Sequence, residues 1–147
     1  MLISGENILE LIPQRFPMVM IDSLVECDEK MAVSQLMIRQ DNPFLDRRGF
    51  STAGIMEAIA QTAAARTGYL LKARPAGSDK IIPIGVIGSI KNFKMYDQPP
   101  VGALITTTVI VEHEVLQATV IKGKVEMNGK LMAESDMQIF LTNEQPL

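Results

Sequence analysis

Residues 52–73 form the longest candidate helix in this chain, with the sequence TAGIMEAIAQTAAARTGYLLKA. Its apolar and small residues recur at steps of three and four, a spacing that places them on one broad face: Ile55, Met56, Ile59, Ala60, Ala63, Thr67, Leu70 and Leu71. A helix of about 18 residues is roughly 27 Å long at 1.5 Å per residue. The remaining residues must therefore supply an apolar surface large enough to cover it.

One acidic residue interrupts the apolar composition of this helix. Glu57 and Gln61 lie one turn apart on a narrow stripe, which continues with the small residues Ala64, Ala65 and Gly68. Such an acid is either a solvated surface residue or a carboxylate held in a cleft where it takes part in chemistry. Gln61 could orient Glu57 by a hydrogen bond, or it could satisfy a buried backbone group. The sequence is compatible with both roles of Gln61.

The bulk properties favour one domain, residues 1–147, in a reducing compartment. A net charge of −3 and a pI near 5.2 argue against a nucleic-acid partner, because binding phosphates requires a basic surface. Cys27 is the only cysteine, so no intrachain disulfide can form. No apolar run reaches the roughly 20 residues that span a bilayer. We expect a soluble, cytoplasmic protein, with some of its 47% hydrophobic residues buried between subunits.

The segments around the central helix read as β-strands with antiparallel connections. Asn128 and Gly129 both tolerate positive φ, which predicts a type I′ hairpin turn between the last two strands. A short helix is predicted over residues 4–12, and a loop over residues 42–50. Six strands are predicted at residues 18–27, 31–38, 81–95, 103–112, 115–127 and 131–141. The chain is therefore α+β, with an antiparallel sheet wrapped around one helix.

Four sequence segments in this order resemble the hotdog fold, and within it the β-hydroxyacyl-acyl carrier protein dehydratases of the FabA/FabZ type. Residues 54–61, GIMEAIAQ, match the GVLIIEAMAQ-like helix of that family and are the most specific segment. Residues 11–18, LIPQRFPM, match an LPHRYPF-like segment, residues 42–44 an EPFF-like segment, and residues 84–93 a strand that ends in KARF. The resemblance extends from Ile8 to Phe140 and implies the hotdog architecture.

The resemblance carries only half of the family's catalytic pair. Glu57 matches the helix acid, which protonates the departing hydroxyl of a 3-hydroxyacyl thioester. The histidine that removes the α-proton stands in a GHFPG-like loop, and this loop is missing between Phe44 and Glu57. Gln14 replaces the other family histidine. The pattern is more similar to a divergent branch, the dehydratases of aryl polyene clusters, which is thought to work as heterodimers with a histidine-bearing hotdog subunit.

Further site residues are expected from the resemblance and from local chemistry. Gly54, Gln14 and Phe16 stand in the matched motifs and are expected to bind substrate. Gly85 and Gly88 could line an acyl tunnel, although a β-bulge explains them equally well. Five cations could form a patch for an acidic acyl carrier protein, with ordinary solvated charges as the alternative: Arg15, Arg47, Arg48, Lys91 and Lys94.

No metal or cofactor is expected, because the chain has one histidine and no carboxylate cluster at ligand spacing. We expect His113 to be an exposed turn residue, Cys27 a buried structural thiol and Ser51 or Thr52 a helix cap. The leading hypothesis is a dehydratase-like protein that dimerises through residues 84–94 and needs a histidine-bearing partner. The alternatives are a non-catalytic acyl-binding subunit and an acyl thioesterase.

Overall fold

A computed structural model describes residues 2–73 and 84–142. The helical elements are a 3₁₀ helix, Gly5–Glu10, and helix α1, Thr52–Lys72. The strands are β1 (Ile3–Ser4), β2 (Ser23–Cys27), β3 (Met31–Met37), β4 (Leu45–Asp46), β5 (Gly49–Phe50), β6 (Ile84–Met95), β7 (Leu104–Val115), β8 (Ala118–Met127) and β9 (Lys130–Thr142). Seven of them form an antiparallel sheet in the order β1-β2-β3-β7-β8-β9-β6, and β4 and β5 form a separate two-stranded hairpin.

The predicted architecture, an antiparallel sheet around one long helix, is confirmed, with the two-residue β1 as a seventh strand. Three local predictions were wrong. The helix expected over residues 4–12 is a 3₁₀ helix preceded by β1. The strand expected over residues 18–27 begins at Ser23, because residues 18–20 bind a helix side chain instead of a neighbouring strand. The loop expected over residues 42–50 contains the β4-β5 hairpin. Residues 81–83 of the third predicted strand lie outside the described residues.

Helix α1 packs against one face of the seven-stranded sheet. Strand β3 alternates strictly, with Ala32, Ser34 and Leu36 buried toward the helix and the intervening residues partly exposed. On β8, Gly123 leaves the space that the side chain of Ile59 occupies. The helix starts at the cap residue Ser51, whose Oγ accepts a hydrogen bond from the backbone N–H of Gly54 at 3.2 Å.

The predicted turn between β8 and β9 is confirmed by positive φ angles of 52° at Asn128 and 78° at Gly129. At the far end of the sheet, β6 pairs only with β9 among the described residues. The opposite edge of this twelve-residue strand is therefore unpaired within residues 2–73 and 84–142. No helix in the described part of the chain is long and apolar enough to cross a bilayer.

Candidate functional site

Glu57 lies in the second turn of α1 and is half-buried. Its Oε2 accepts a hydrogen bond of 2.9 Å from Nε2 of Gln61, one helical turn further on. Positions i and i+4 are neighbours on a helix surface, so this pair follows directly from the local sequence. The carboxylate is therefore held in one orientation before any substrate binds.

Gln61 is fully buried, and its amide also holds the N-terminal segment of the chain. Oε1 accepts a hydrogen bond from the backbone N–H of Met20 at 2.6 Å, and Nε2 donates to the carbonyl oxygen of Met18 at 2.9 Å. The two roles that the sequence left open are thus filled together, since Gln61 satisfies buried backbone groups and orients Glu57. Residues 18–20 use their polar backbone groups here, which explains why β2 starts only at Ser23.

A tight hairpin occupies the approach to Glu57. Strand β5 is attached to the loop after β6, because the N–H of Phe50 donates to the carbonyl oxygen of Pro99 at 2.8 Å. Nε2 of Gln98 donates to Oδ1 of Asp46 at 2.7 Å and so holds strand β4 against the same loop. The backbone N–H of Arg48, and then the Gln98 amide, hold the pKa of Asp46 below its usual value. The segment in which the resemblance places a histidine-bearing loop is therefore a short, internally bonded turn.

His113 cannot act as the base for Glu57 within this chain. It lies in β7 beside a bulge between Val111 and His113, not at the strand tip, and it is exposed as expected. The carboxylate of the next residue, Glu114, reaches Arg66 on α1 at 3.2 Å. Because neighbouring residues of a strand point to opposite faces, His113 points away from the helix.

The expected substrate residues do not converge on one cavity. A Cβ at Gly54 would lie 2.5 Å from the Phe50 ring and 2.9 Å from Cβ of Phe44, so this glycine is needed for close packing. Phe16 is 66% exposed on the surface. Oε1 of Gln14 is sealed from solvent and has no hydrogen-bond partner among the described residues. Substrate binding by these three residues stays a prediction.

The two glycines of β6 have different surroundings. Gly88 is exposed and lies in a bulge between Ile87 and Ser89, and a Cβ at this position would clash with the ring of Phe140. Gly85 is partly buried, and a Cβ there would meet Cγ2 of Ile139 at 3.4 Å. The bulge that the sequence offered as one explanation is present at Gly88. A role in an acyl tunnel stays a prediction for both residues.

All five cations of the expected carrier patch are exposed, and none forms an ion pair within the described residues: Arg15, Arg47, Arg48, Lys91 and Lys94. They stand on three segments, namely the loop after the 3₁₀ helix, the β4-β5 turn and β6. Arg15 directs Nη1 at the carbonyl oxygens of Ile12 and Gln14. The five cations therefore lie on separate segments of the sequence, and their role as a carrier patch stays a prediction.

Arg66 is a buried residue that the sequence analysis missed. Its side chain is 7% exposed, and its guanidinium donates to the carbonyl oxygen of Glu29 at 2.6 and 3.2 Å. It thereby ties the turn between β2 and β3 to α1. Cys27 lies beside it, with Sγ 3.9 Å from the carbonyl oxygen of Arg66, and burial raises the pKa of this thiol to about 11. An arginine within a run of small residues was the only sequence signal for this anchor.

A cavity near the N-terminal segment of the described chain does not include Glu57 among its lining residues. This cavity has a volume of about 790 Å³, and its lining includes Phe16, Arg39 and Leu104. Met20 lines this cavity, and its backbone N–H donates to Oε1 of Gln61, which is not among the lining residues. The pair of Glu57 and Gln61 defines the candidate site, because it joins the helix acid of the matched motif to a fully buried amide at 2.9 Å.

Comparisons of the sequence with known proteins gave matches over nearly the whole chain. A family model of the ApeP-like group, described as ApeP dehydratase, matches residues 6–146. The chain is 26% identical over 147 residues to the 3-hydroxyacyl-[acyl-carrier-protein] dehydratase FabZ of Streptococcus pneumoniae serotype 4, covering 97% of this chain and 100% of that protein.

Solved structures support the fold. The dehydratase heterocomplex ApeI:P from Xenorhabdus doucetiae gives a TM-score of 0.79 at 14% identity, covering 93% of this chain and 91% of that chain. A hypothetical thioesterase with coenzyme A from Streptococcus pneumoniae TIGR4 gives a TM-score of 0.63 at 11% identity, covering 84% and 88%. At these identities the structural likeness shows the fold alone, and it confirms the expected hotdog architecture.

Proposed function

The chain belongs to the ApeP-like dehydratase family, and on this premise we propose that it takes part in removing water from 3-hydroxyacyl thioesters carried by an acyl carrier protein. The observation that carries the proposal is the pair formed by Glu57 and Gln61. A half-buried carboxylate with one oxygen fixed at 2.9 Å by a buried amide is suited to deliver a proton in one direction. No cofactor enters this reaction scheme.

The reaction divides between an acid and a base. Glu57, in its protonated form, donates a proton to the 3-hydroxyl group as the C–O bond breaks, and water leaves. A base removes the α-proton, and the electrons of that C–H bond form the new carbon–carbon double bond. Glu57 ends the step as a carboxylate, and the base holds the α-proton until solvent exchange restores both groups.

We propose that a partner subunit supplies this base. The only histidine of the chain, His113, faces away from α1, and the β4-β5 hairpin stands where a histidine-bearing loop would be. A homodimer would therefore contain two Glu57 acids and no histidine beside either. A heterodimer with a histidine-bearing hotdog subunit completes one site.

The free edge of β6 is the proposed contact with that partner. Its twelve residues, Ile84–Met95, have no strand on the side opposite β9 within the described residues. An unpaired edge strand of this length exposes backbone donors and acceptors that a second sheet can satisfy. Pairing there would continue the sheet from one subunit into the next.

The carrier protein is proposed to approach the exposed cations. Arg47 and Arg48 form the turn of the β4-β5 hairpin, which leads directly into Ser51 and the start of α1. These two guanidinium groups have no ion pair in the described part of the chain, and beside the start of α1 they would attract an acidic carrier and the phosphate of its prosthetic arm. We propose the cytoplasm as the compartment of this reaction, and the single cysteine, which cannot form an intrachain disulfide, supports that proposal.

The decisive experiment follows water loss from a 3-hydroxyacyl-carrier thioester by mass spectrometry. The chain should be weak or inactive alone and should gain strong activity when a histidine-bearing hotdog subunit is added. Strong activity of the pure homodimer would rule out the composite site. Inactivity of every such mixture on a panel of acyl chains would rule out the dehydratase function.

Two other functions make different predictions in the same assay. A non-catalytic subunit that only binds acyl chains or stabilises its partner predicts full activity of the complex after Glu57→Gln. The thioesterase function is the second alternative, in which Glu57 would direct water onto the thioester carbonyl. It predicts release of free thiol from acyl-coenzyme A or acyl-carrier substrates, which a thiol reagent detects.

A further inference from the structure

We infer that Oε1 of Glu57 is the oxygen that delivers the proton, and that Gln61 and the backbone of residues 18–20 make this assignment. The inference rests on the proposed dehydratase function and adds the direction of proton transfer to it. It follows from the donors and acceptors around one buried amide.

The orientation of the Gln61 amide is fixed by two backbone groups. The N–H of Met20, 2.6 Å from Oε1, can only donate, and the carbonyl oxygen of Met18, 2.9 Å from Nε2, can only accept. Exchanging the amide oxygen and nitrogen would set two donors against each other and two acceptors against each other. The two backbone groups therefore fix which side-chain atom of Gln61 is the oxygen and which is the nitrogen.

Both hydrogens of Gln61 Nε2 are consequently committed as donors. One goes to the carbonyl oxygen of Met18 and the other to Oε2 of Glu57 at 2.9 Å. Gln61 has no acceptor left to receive a proton from Oε2, because its own oxygen is bonded to Met20. An unprotonated carbonyl-type oxygen is the better acceptor for an amide hydrogen, so the acid proton of Glu57 belongs on Oε1.

Oε1 is also the oxygen that a substrate can reach. It has no hydrogen-bond partner among residues 2–73 and 84–142, and it is not sealed from solvent. In the dehydration step, the Oε1–H bond breaks as the proton joins the 3-hydroxyl oxygen, and Oε1 takes the negative charge. Gln61 stays bonded to Oε2 before and after transfer, so no donor has to rotate during the step.

The first test is a nitrogen-15 NMR experiment on the whole chain without substrate. In the wild type, both side-chain hydrogens of Gln61 should resonate downfield and exchange slowly. Glu57→Ala should return one of the two to an ordinary position and leave the other, bonded to Met18, displaced. Unchanged amide signals in Glu57→Ala, or equal changes in both hydrogens, would overturn the assignment.

The second test measures turnover by the complex with its partner subunit. Gln61→Met removes the donor to Oε2, and a freely rotating carboxyl group should lower kcat by about 10²-fold while KM changes little. Thr62→Val is the matched control, because Thr62 is equally buried on α1 and bonds Ser34 at 2.6 Å without touching Glu57. This variant should lose stability yet keep kcat.

Equal losses of kcat in Gln61→Met and Thr62→Val would show that Gln61 only stabilises the fold, and this result would overturn the inference. Failure of the proposed function is seen separately. If the wild-type complex does not dehydrate any substrate, both the proposed function and the proton delivery by Glu57 are wrong. The NMR signals of the Gln61 amide still show, independently of activity, whether Gln61 is bonded to Glu57.

Discussion

Oε2 of Glu57 lies 2.9 Å from Nε2 of Gln61, and the same amide is bonded to Met18 and Met20. The acid of the candidate site is thus connected to the N-terminal segment through a single buried side chain. Its orientation depends on the helix and on residues about 40 positions away in the sequence. Substitutions at Gln61 or in residues 18–20 should therefore change the orientation of the Glu57 carboxylate.

Glu57→Gln should abolish most of the activity of the complex without unfolding the chain. The amide keeps an oxygen for Gln61 but cannot serve as the acid, so kcat should fall by about 10² to 10⁴-fold. Thermal unfolding should be nearly unchanged, because Glu57 is only half-buried. Glu26→Gln, an exposed acid on β2 without an ion pair in the described residues, is the control. Unaltered turnover in Glu57→Gln would favour the non-catalytic function.

Cys27 should react slowly with alkylating reagents in the folded protein. Burial raises the pKa of this thiol from 9.0 to about 11, although Arg66 acts in the opposite direction. At pH 8 the reactive thiolate is then about 100-fold rarer than in the unfolded chain. Mass spectrometry after iodoacetamide treatment, with and without denaturant, measures this ratio. Similar rates in both states would show that Cys27 is accessible.

The same thiol should make folding less favourable at high pH. Above pH 9 the unfolded chain loses the Cys27 proton while the folded chain keeps it until about pH 11. The folded state then binds more protons, so the free energy of unfolding decreases as pH rises through this window. The free energy of unfolding, measured with denaturant between pH 8 and pH 11, should fall more steeply with pH for the wild type than for Cys27→Ala. Equal slopes for the two proteins would show that this explanation is wrong.

Gly68→Ala should destabilise the fold. A Cβ at this position would lie 2.9 Å from Cα and 3.0 Å from the carbonyl carbon of Leu11, and closer still to its oxygen. Backbone atoms cannot move aside cheaply, so we expect a loss of about 1–3 kcal/mol, despite the higher helix propensity of alanine. Gly85→Ala, where the nearest atom is 3.4 Å away, is the control. Equal midpoints in urea for both variants would contradict the close approach.

Acid should weaken the fold through carboxylates on the outer surface. The Asn92 amide, and then Lys122, hold the pKa of Asp136 below its usual value of 3.8. As pH falls below 3.8 the unfolded chain takes up the proton first, so the stabilising contribution of Asp136 is present above that pH and is lost below it. Asp136→Asn should show a flatter decline of Tm between pH 5 and pH 2.5 than the wild type. If Tm declined equally with pH in both proteins, Asp136 would not contribute to the loss of stability in acid.

Local periodicity allowed several features to be predicted from the sequence. The helix expected over residues 52–73 is Thr52–Lys72, and the turn at Asn128 and Gly129 has the expected positive φ angles. Glu57 and Gln61 face each other because residues one turn apart on a helix are always neighbours. These features depend on residues close together in the chain, and their side chains carry the information directly.

The sequence by itself determined the central helix, its acid and the neighbouring amide. Tertiary structure decided which groups hold that amide, because Met18 and Met20 are 43 and 41 positions from Gln61 and their backbone atoms leave no mark in the sequence. It also decided that Arg66 is buried, that residues 45–50 form a hairpin, and that β6 lies at the sheet edge. Each of these depends on contacts between distant segments, which form only when the sheet closes around α1.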